Sequence, residues 1–593
     1  MKLRTLAVGS LLLLLATFLF AAENYPVKVE RGVSVKMRDS VVLRGDIFRP
    51  DTEGKFPVLL QRTPYRRAVT WGYDVDFAQR AASRGYVVFL QDVRGRYTSD
   101  GEWYPLLHES EDGYDTIEWI AAQPYSDGRV GMFGGSYVGA TQLLAAIAHP
   151  PHLAGICPIV TASDYHNGWT YQGGAFEQWF NESWTSGLAQ DTLTRQIERT
   201  PSPPEEVNVL PLTAYPIFNP NPANVINGSA SAIAPYFLDW LAHPSYDDYW
   251  RRWSIEEHYA DIRVPALHVA AWYDIFLGGS LRNYIGLKTH AASAETRNGQ
   301  HLLVTIGGHA GDGRKIGEVD FGPEAEKFNE GEITLHWYDS LFKGTRNEFV
   351  TGKAVKIFVM GIDQWRDEDE WPLARAKSTK YFLHSQGQAN TGHGNGSLST
   401  LAPGAEPSDE FVYDPAQPVP TIGGPLCCDS DHLAPGPHDQ RSVEERHDVL
   451  VYSTFPFDHD LEITGPVRLE FFATSSAVDT DFTAKLLDVA PDGTAINLTE
   501  GILRARYRVS QVTPAPLIRG QSYLLSIDLW ATSNVFCTGH RLRLELSSSN
   551  FPRFDRNLNT GNLAANSATW VKATNTILHD KTHPSALILP VVP

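Results

Sequence analysis

The sequence of 593 residues has few cysteines and an excess of acidic over basic side chains. Its 50 Lys and Arg residues are outnumbered by 69 Asp and Glu residues, which gives a formal net charge of −19. Because nucleic-acid binding needs a basic surface, this balance disfavours nucleic acid as a partner. The four cysteines are Cys157, Cys427, Cys428 and Cys537. None has the paired spacing of a zinc site, and their disulfide pairing stays open.

Long apolar runs are also scarce, and the run at the N-terminus has the layout of a secretory signal peptide. Lys2 and Arg4 precede the apolar run Leu11–Phe20, and the small residues Ala21 and Ala22 lead into polar sequence. A charged start, a short apolar stretch and small residues near a cleavage site are typical of such signals. We therefore expect residues 1–22 to be removed and the mature protein to be periplasmic or secreted, with no membrane segment. An uncleaved membrane anchor is the alternative.

The sequence contains no signature of a bound metal or nucleotide cofactor. The zinc motif H-E-x-x-H, the phosphate-binding motif G-x-x-x-x-G-K and the dinucleotide motif G-x-G-x-x-G are all missing. With 42% hydrophobic and 20% charged residues, the composition is that of a globular protein. The length predicts more than one domain. We expect no cofactor and a small molecule as the partner.

Hydrophobic patterning divides the rest of the chain into four regions. Residues 23–160 and 263–370 alternate buried-type strands with helices, which predicts a mostly parallel sheet with helices on both faces. Residues 161–262 interrupt that pattern with Trp- and Tyr-rich sequence and a Pro- and Asn-rich stretch, as is typical of an inserted cap made of short helices. Residues 371–593 contain many short strands separated by turn residues, which predicts an all-β antiparallel sandwich.

Individual segments carry the strand and helix predictions in the two core regions. The predicted strands are Phe56–Gln61, Tyr86–Gln91, Val130–Phe133, Pro265–Trp272 and Leu302–Ile306. The predicted helices are Tyr114–Ala122, Tyr137–Ala148, Gly279–Ala292 and Glu324–Phe342. In the last of them Ile333, Trp337 and Leu341 recur at helical spacing, which places them on one face.

The segment GMFGGSYVGATQLLAAI places Ser136 at a sharp corner between a predicted strand and a predicted helix. A nucleophilic hydroxyl has to project from such a turn so that a base reaches it from one side and N–H donors from the other. Gly134, Gly135 and Gly139 are expected to supply the room. The pattern G-G-S-Y-V-G departs from the usual G-x-S-x-G because Val138 holds the second glycine position. A glycine-rich turn with an unreactive serine is the structural alternative.

A nucleophilic serine needs a histidine base and an acid that orients the histidine. In enzymes with this strand-to-helix corner, the chain order is Ser, then Asp or Glu, then His. Asp274 and His309 each follow a predicted strand, so both are expected at the carboxyl edge of the parallel sheet. Asp261 and His301 precede or begin those strands and would lie at the opposite edge. Position alone leaves Asp312 as a rival acid.

Seven longer motifs extend over nearly the whole chain after the N-terminal segment. They are RTPY (62–65), QDVRGRYTSDGEW (91–103), GMFGGSYVG (131–139), AWYDIF (271–276), VMGIDQWRDEDEWPL (359–373), SSAVDTDFTAKLLDV (475–489) and SSSNFPRFDRNLNTG (547–561). In these motifs the sequence resembles the cocaine esterase and X-Pro dipeptidyl-peptidase group of serine hydrolases, the CocE/NonD family. The resemblance implies an α/β-hydrolase core, a helical cap and a C-terminal jelly-roll, in agreement with the patterning.

Matched residue by residue, the resemblance implies that Ser136 is the nucleophile, Asp274 the acid and His309 the base. It thereby favours Asp274 over the rival acid. It also implies an oxyanion hole formed by the hydroxyl of Tyr65 and the backbone N–H of Tyr137. From its residue type alone, Tyr65 would be taken for a packed surface aromatic.

The resemblance further implies an aromatic pocket for the acyl group. Trp169 and Trp184 match the residues that the cap contributes, and Phe276 matches the residue from the core. Cys427 and Cys428 fall where the family enzyme presents larger apolar residues. Smaller side chains there should enlarge or reshape the acyl end of the pocket, or a disulfide should pin it. For each Trp, packing within the cap is the alternative.

These features predict a secreted serine hydrolase that cleaves carboxylic esters of small or aryl acyl groups through an acyl-enzyme. In a related branch of the family that the sequence resembles, acids that hold a substrate ammonium closely follow the triad Asp; here Ile275 and Phe276 stand after Asp274, so the resemblance favours neutral acyl groups. The second hypothesis is an amidase, an acylase or an X-Pro dipeptidyl-peptidase-like aminopeptidase. The third is a carbohydrate- or partner-binding protein with a vestigial triad. A homodimer is left open.

Overall fold

The structure is a computed structural model that describes residues 24–67, 73–196, 210–214, 233–309 and 313–593. The predicted signal peptide of residues 1–22 and the rival acid Asp312 lie outside the described residues. Much of the Pro- and Asn-rich stretch of the insertion lies outside them as well.

In the described part of the first core region, strands alternate with helices. The strands are β1 Val27–Lys36, β2 Val42–Pro50, β3 Phe56–Thr63, β4 Val87–Asp92, β5 Ser126–Gly135 and β6 Leu153–Ile159. The helices are α1 Tyr73–Ser83, α2 Glu109–Ala121 and α3 Tyr137–Ile147. All three predicted strands and both predicted helices of this region are present. Every residue of β4 is buried, as its apolar run predicts, and so are the polar Gln91 and Asp92 at its end.

The insertion combines a small hairpin with helices. The hairpin pairs β7 Tyr171–Gln172 with β8 Ala175–Phe176. The helices are α4 Gln178–Gln196, α5 Pro235–Ala242 and α6 Asp248–Arg251, with 3-10 turns at Leu212–Ala214 and Glu256–Asp261. At 19 residues, α4 is longer than the short helices that the sequence predicts. Its buried side chains belong to a hydrophobic cluster that also contains residues of the core sheet.

The second core region completes the sheet. Its strands are β9 Ala266–Tyr273, β10 Gln300–Gly308, β11 Lys315–Ile316, β12 Val319–Asp320, β13 Val355–Val359 and β14 Gln364–Glu368. Its helices are α7 Leu277–His290, α8 Ala294–Asn298, α9 Glu330–Lys343 and α10 Glu348–Thr351, with a 3-10 turn at Ala325–Lys327. The predicted start of the last long helix at Glu324 is wrong. Phe328 is extended, and the Asn329 side chain caps α9 by accepting a 3.0 Å hydrogen bond from the Glu332 N–H.

Ten strands form the core sheet in the order β1-β2-β4-β3-β5-β6-β9-β10-β13-β14. The seven neighbouring strands from β4 to β13 are parallel, whereas β1, β2 and β14 are antiparallel to their neighbours. This topology confirms the predicted mostly parallel sheet. The carboxyl ends of parallel strands lie at one edge of a sheet, so the loops that follow β3, β5, β9 and β10 meet there.

The C-terminal domain is built from strands. They are β15 Lys377–His384, β16 Ser397–Ser399, β17 Asp409–Tyr413, β18 Leu450–Ser453, β19 Leu461–Ser475, β20 Asp481–Val489, β21 Ala495–Arg504, β22 Tyr523–Phe536, β23 Arg541–Ser547, β24 Ala573–Leu578 and β25 Ala586–Val592. A short helix, α11 Arg441–Glu444, lies between β17 and β18, and a 3-10 turn, Ala505–Tyr507, lies between β21 and β22. Pairing is antiparallel except for one parallel contact between β16 and β18. The predicted all-β domain is confirmed.

The buried side chain of Arg553 links this β domain to the cap. Its Nη2 donates to Gln172 Oε1 over 2.9 Å, and its Nη1 donates to Glu500 of β21. Asp555, from the same motif, accepts a 2.8 Å hydrogen bond from the N–H of Phe176 in the cap hairpin. These contacts fix the start of the cap, and with it α4, against the β domain.

Among the described residues, no helix combines the length and the apolar composition needed to cross a bilayer. The same part of the chain contains no group of three or more His, Cys, Asp and Glu side chains arranged to hold a metal ion.

Candidate active site

Ser136 occupies the turn between β5 and α3. Its backbone has φ 60° and ψ −128°, a conformation that residues with a side chain rarely adopt. Its N–H donates to the carbonyl of Ile159 over 2.9 Å, and its own carbonyl accepts from the N–H groups of Gly139 and Ala140 over 2.9 and 3.1 Å. Both peptide groups are therefore fixed, and the hydroxyl stands on a rigid strand-to-helix corner of the kind that carries hydrolase nucleophiles.

Two glycines give this turn the space it needs. Gly134 has φ 118°, and a Cβ there would lie 2.5 Å from Cγ1 of Val138. A Cβ on Gly139 would lie 2.8 Å from Cβ of Thr161. Gly135 differs from the prediction, because the nearest atom to a Cβ there would be 3.5 Å away, at ordinary contact distance. The room for the elbow therefore comes from Gly134 and Gly139.

Asp274 and His309 lie directly after β9 and β10, and the structure brings both to Ser136. Nδ1 of His309 is 2.6 Å from Oδ1 of Asp274, and Nε2 is 2.9 Å from Oγ of Ser136. The Asp274 side chain is fully buried, and that of His309 is 8% exposed. An ionised carboxylate only accepts hydrogen bonds, so Nδ1 carries the proton and Nε2 accepts from the serine hydroxyl. This arrangement can take a proton from Ser136 and stabilise the imidazolium that results.

The two residues predicted to lie at the opposite edge of the sheet are indeed away from Ser136. Asp261 pairs with Nδ1 of His258 over 3.0 Å, just before β9. His301 packs its ring against Trp337 of α9, with ring centres 5.5 Å apart. Neither contacts the hydrogen-bonded group at the carboxyl edge.

Tyr65 lies in the loop after β3, and its hydroxyl reaches the same site. Its N–H donates to Oγ1 of Thr63 over 3.0 Å, which fixes the turn, and its hydroxyl accepts from Nε1 of Trp184 over 3.0 Å. Burial raises the pKa of the Tyr65 hydroxyl, whereas its interactions with Trp184, the Ser136 hydroxyl and the Tyr137 N–H act to lower it. Because Trp184 is the donor in its bond, the proton of Tyr65 remains available for a negatively charged oxygen.

Tyr137, the first residue of α3, is held through its side chain. Its hydroxyl donates to Oε1 of Glu109 over 2.9 Å and accepts from the N–H of Leu106 over 2.7 Å. Glu109 also accepts from Arg62 over 2.7 Å. Burial raises the pKa of Glu109, and the positive charge of Arg62 opposes that increase. The network fixes Tyr137, whose backbone N–H lies at the positive end of the helix.

The three aromatic residues predicted for the acyl pocket form one buried cluster beside His309. Trp169 stacks on Phe276 with ring centres 4.5 Å apart and an interplanar angle of 10°. Phe276 in turn meets the His309 ring edge-on at 5.0 Å. Trp184 lies perpendicular to Trp169 at 5.7 Å and stacks on Tyr137 at 6.0 Å. The cluster thus joins the cap, the core and the loop that carries the histidine.

Phe180 belongs to this cluster but was missed by the sequence analysis. Its ring lies 5.4 Å from both Trp169 and Phe276, edge-on in each case. It stands one helical turn before Trp184 on α4, so both side chains project from the same face. That spacing indicates from the sequence that Phe180 accompanies Trp184, but only if the segment is recognised as one long helix.

The structure joins the neighbouring residues Cys427 and Cys428 in a disulfide and leaves Cys157 and Cys537 as free thiols. Cys427 is buried in the large hydrophobic cluster that extends from the core sheet through the cap and includes Trp169, whereas Cys428 is exposed. This resolves the pairing that the sequence left open. Two adjacent cysteines enclose no loop, so their spacing in the sequence does not indicate whether they pair.

Comparison with known proteins agrees with this architecture. The X-Pro dipeptidyl-peptidase (S15 family) matches residues 39–311, and the X-Pro dipeptidyl-peptidase C-terminal non-catalytic domain matches residues 347–588. Cocaine esterase of Rhodococcus sp. (strain MB1 Bresler) is 38% identical over 588 residues, which cover 96% of this chain and 99% of that enzyme. The chain belongs to the CocE/NonD family of serine hydrolases. The predicted family is thereby confirmed.

Two solved structures share the whole fold. An aminopeptidase from the marine sediment archaeon Thaumarchaeota archaeon is 25% identical, with a TM-score of 0.80 and 97% of each chain covered. An α-amino acid ester hydrolase is also 25% identical, with a TM-score of 0.79 and coverage of 97% of this chain and 98% of the other. Members of this family are esterases or peptidases, so this CocE/NonD protein is a hydrolase of that kind.

Proposed function

We propose that this protein hydrolyses carboxylic esters of small or aryl acyl groups through Ser136, His309 and Asp274. The observation that carries the proposal is the continuous hydrogen-bonded chain from Ser136 Oγ through His309 to Asp274, with contacts of 2.9 and 2.6 Å. Burial of the Asp274 carboxylate strengthens its interaction with the imidazolium that forms during attack.

In the first half-reaction, Oγ of Ser136 bonds to the ester carbonyl carbon while its proton passes to Nε2 of His309. The tetrahedral intermediate collapses, the bond to the alcohol oxygen breaks, and His309 returns the proton to the departing alcohol. Water then attacks the acyl-enzyme by the same route, with His309 again as base, and the acid is released. Asp274 holds the histidine in the tautomer that both halves need.

The negatively charged oxygen of the intermediate is proposed to accept hydrogen bonds from the Tyr65 hydroxyl and the Tyr137 N–H. Support comes from the interactions of the Tyr65 hydroxyl with the Ser136 hydroxyl and the Tyr137 N–H, and from the hydrogen bonds that hold the Tyr137 side chain. Two donors aimed at this oxygen each lower the barrier by about 3 kcal/mol in comparable sites.

An aromatic acyl group is favoured by the surroundings of the histidine. Phe276 meets His309 edge-on at 5.0 Å, and Trp169 extends that apolar surface by stacking on Phe276. An acyl ring can pack against such faces with a gain beyond its buried area. Ile275 and Phe276 follow Asp274 and are both buried, so no carboxylate from these positions is present to hold a substrate ammonium.

The test is a series of nitrophenyl esters with acyl groups graded from acetyl to benzoyl, hydrolysed by the wild type, Ser136→Ala and Ser340→Ala. Ser340 is a matched control because its hydroxyl bonds the Trp337 carbonyl within its own helix, α9, over 2.7 Å. We expect kcat to fall at least about 10⁴-fold in Ser136→Ala and to be unchanged in Ser340→Ala. Hydrolysis that survives in Ser136→Ala, or wild-type turnover that disappears with the benzoyl ester, would contradict the proposal.

The alternative activity is amide cleavage, which the likeness to an aminopeptidase and to the S15 family supports. An ester and an anilide that share one acyl group separate the two activities, since the amine is the poorer leaving group. Equal turnover of the anilide would favour the amidase. The binding-protein alternative is tested with a fluorophosphonate probe, which labels an active serine covalently. An unlabelled wild type beside a labelled control hydrolase would favour that alternative.

We also propose that the mature protein is exported, on the strength of the charged and apolar pattern of residues 1–22. Expression of the full chain in a Gram-negative host tests this, with a chain lacking residues 2–22 as the control. Periplasmic protein with the mass of a chain that begins near residue 23 is expected. Cytoplasmic protein that retains residues 1–22 would contradict it.

A further inference from the structure

Arg96 lies in the loop after β4, and its guanidinium is fully buried. It belongs to the motif QDVRGRYTSDGEW, which has no part in the function proposed above. In the structure this side chain lies between two elements of the active site. One is the loop after β3, which carries Tyr65, and the other is the cap helix α4, which carries Trp184.

The Arg96 guanidinium bonds both elements through their backbones. Its Nε donates to the carbonyl of Pro64 over 3.0 Å, and its Nη1 donates to the carbonyl of Leu188 over 2.9 Å. Pro64 directly precedes Tyr65, and Leu188 lies one helical turn after Trp184. The same loop and helix also meet through the 3.0 Å bond from Trp184 Nε1 to the Tyr65 hydroxyl. Two separate links therefore set the position of this hydroxyl.

Arg96 lacks the close, two-pronged ion pair that Arg94 makes in the same loop. Its nearest carboxylate, Asp191, is 3.6 Å from Nη1, and Nη2 is buried with no hydrogen-bond partner among the described residues. Arg94 shows the stronger alternative, with hydrogen bonds of 2.9 and 2.6 Å to the two oxygens of Asp112. A buried charge without a close, two-pronged partner costs stability, so Arg96 contributes less as an ion pair than through the two carbonyls that it joins.

The loop around Arg96 is rigid enough to act as a support. The guanidinium carbon lies 5.2 Å from the ring centre of Tyr97 and 5.3 Å from that of Trp103. Gly95 has φ 70°, and a Cβ there would lie 2.2 Å from the backbone nitrogen of Trp103. The positive charge also acts on Tyr65, since it offsets part of the increase in pKa that burial causes.

We infer that Arg96 is a positioning residue for the oxyanion hole, which holds the Tyr65 loop and the Trp184 helix in one fixed relation. This inference rests on the proposed function, because it assigns Tyr65 as a donor. Arg96 acts through Tyr65 rather than on the reacting atoms. Its effect on catalysis should therefore depend on whether the Tyr65 hydroxyl is present.

The test is a double-mutant cycle of Arg96→Lys and Tyr65→Phe, measured as kcat for nitrophenyl acetate together with Tm. Lysine keeps the charge but lacks the planar fork that reaches both carbonyls at once. We expect Arg96→Lys to lower kcat about tenfold when Tyr65 is present, because a small displacement of a donor is costly. In the Tyr65→Phe background the loss should be less than about twofold, because there is no hydroxyl left to position.

Arg94→Lys is the matched control, since Arg94 stands in the same loop and bonds neither active-site element. It should lower Tm while leaving kcat within about twofold in both backgrounds, as expected for a structural ion pair. Arg96→Lys would overturn the inference if it left kcat unchanged, or if it lowered kcat equally with and without the Tyr65 hydroxyl. An unchanged kcat in Tyr65→Phe alone is a different result, which would refute the proposed oxyanion hole.

If Arg96→Lys does not yield folded protein, the same cycle is run with Asp191→Asn. Oδ2 of Asp191 faces Arg96 and accepts a 2.9 Å bond from the N–H of Tyr97, and asparagine keeps an acceptor while removing the charge. A loss in kcat of about threefold is expected with Tyr65 present and none in Tyr65→Phe. An equal loss in both backgrounds would overturn the inference.

Discussion

The indole N–H of Trp184, on the cap helix, donates a 3.0 Å hydrogen bond to the hydroxyl of Tyr65, on a loop of the core. The cap therefore contacts the core at the very atom proposed to stabilise the oxyanion. An indole nitrogen can only donate, so the bond orients the hydroxyl without using its proton. The cap thus contributes to the geometry of the proposed oxyanion hole.

Removal of the Tyr65 hydroxyl should slow turnover and leave substrate binding largely intact. Tyr65→Phe deletes one of two donors to a charge that develops only in the transition state, so we expect kcat to fall about 10²-fold with little change in KM. Steady-state kinetics with nitrophenyl acetate measure both constants. Tyr246→Phe is the control, because the Tyr246 hydroxyl bonds the surface residue Glu257 over 3.0 Å and also interacts with Ser254, neither of which belongs to the proposed site. A kcat of Tyr65→Phe equal to that of the control would remove Tyr65 from the mechanism.

Neutralisation of the buried acid should be more severe. In Asp274→Asn the amide replaces a charged acceptor that is 2.6 Å from Nδ1 of His309, so the wrong tautomer is favoured and the imidazolium loses its counter-charge. We expect kcat to fall about 10³-fold or more at neutral pH. Asp261→Asn is matched to it, since Asp261 also pairs with a histidine, His258, over 3.0 Å. Equal kinetics for the two variants would show that the triad acid lies elsewhere.

The sequence predicts the core of the site because each of its members follows a buried-type strand. Ser136, Asp274 and His309 lie far apart in the chain, but parallel strands bring their carboxyl ends to one edge of the sheet. Phe180 and Arg96 escaped prediction because their roles arise from contacts between the cap and the core. The Arg96 bond to Leu188 spans 92 residues, and no local periodicity encodes such a contact. The start of α9 likewise depends on one capping side chain, Asn329, rather than on apolar spacing.

The Cys427–Cys428 disulfide should influence which acyl group is accepted more than whether catalysis occurs. Cys427 is buried in the large hydrophobic cluster that extends from the core sheet through the cap and includes Trp169. Cys428 is exposed, so a dithiol reductant can attack its sulfur and leave two thiols. We expect reduction to change the ratio of kcat/KM for benzoyl and acetyl esters by at least about threefold. The kcat for the acetyl ester should stay within about twofold.

Two measurements make the disulfide prediction decisive. Mass spectrometry after alkylation shows whether the two new thiols have formed, and a Cys427→Ser/Cys428→Ser variant should reproduce the reduced state without any reductant. Cys537→Ser removes a free thiol and should respond to the reductant as the wild type does. An unchanged selectivity ratio in fully reduced protein would separate the disulfide from the acyl pocket.

His268 should make the core less stable in acid. Its ring is buried on β9, with Nε2 3.0 Å from Oε1 of Gln300, and burial lowers its pKa to about 4. In the unfolded chain histidine binds a proton near pH 6.5, so between about pH 6.5 and 4 the unfolded state holds the extra proton. The free energy of unfolding therefore falls as the pH drops through this window, by about 1.4 kcal/mol per pH unit, and is unaffected by this group above it.

His268→Gln cannot bind that proton, so its deficit in Tm relative to the wild type should shrink from pH 7 to pH 4.5 in calorimetric scans. Leu267→Val, a cavity variant at the neighbouring fully buried position, should keep a constant deficit over the same range. Parallel pH curves for the wild type and His268→Gln would show that this histidine is protonated in the folded protein.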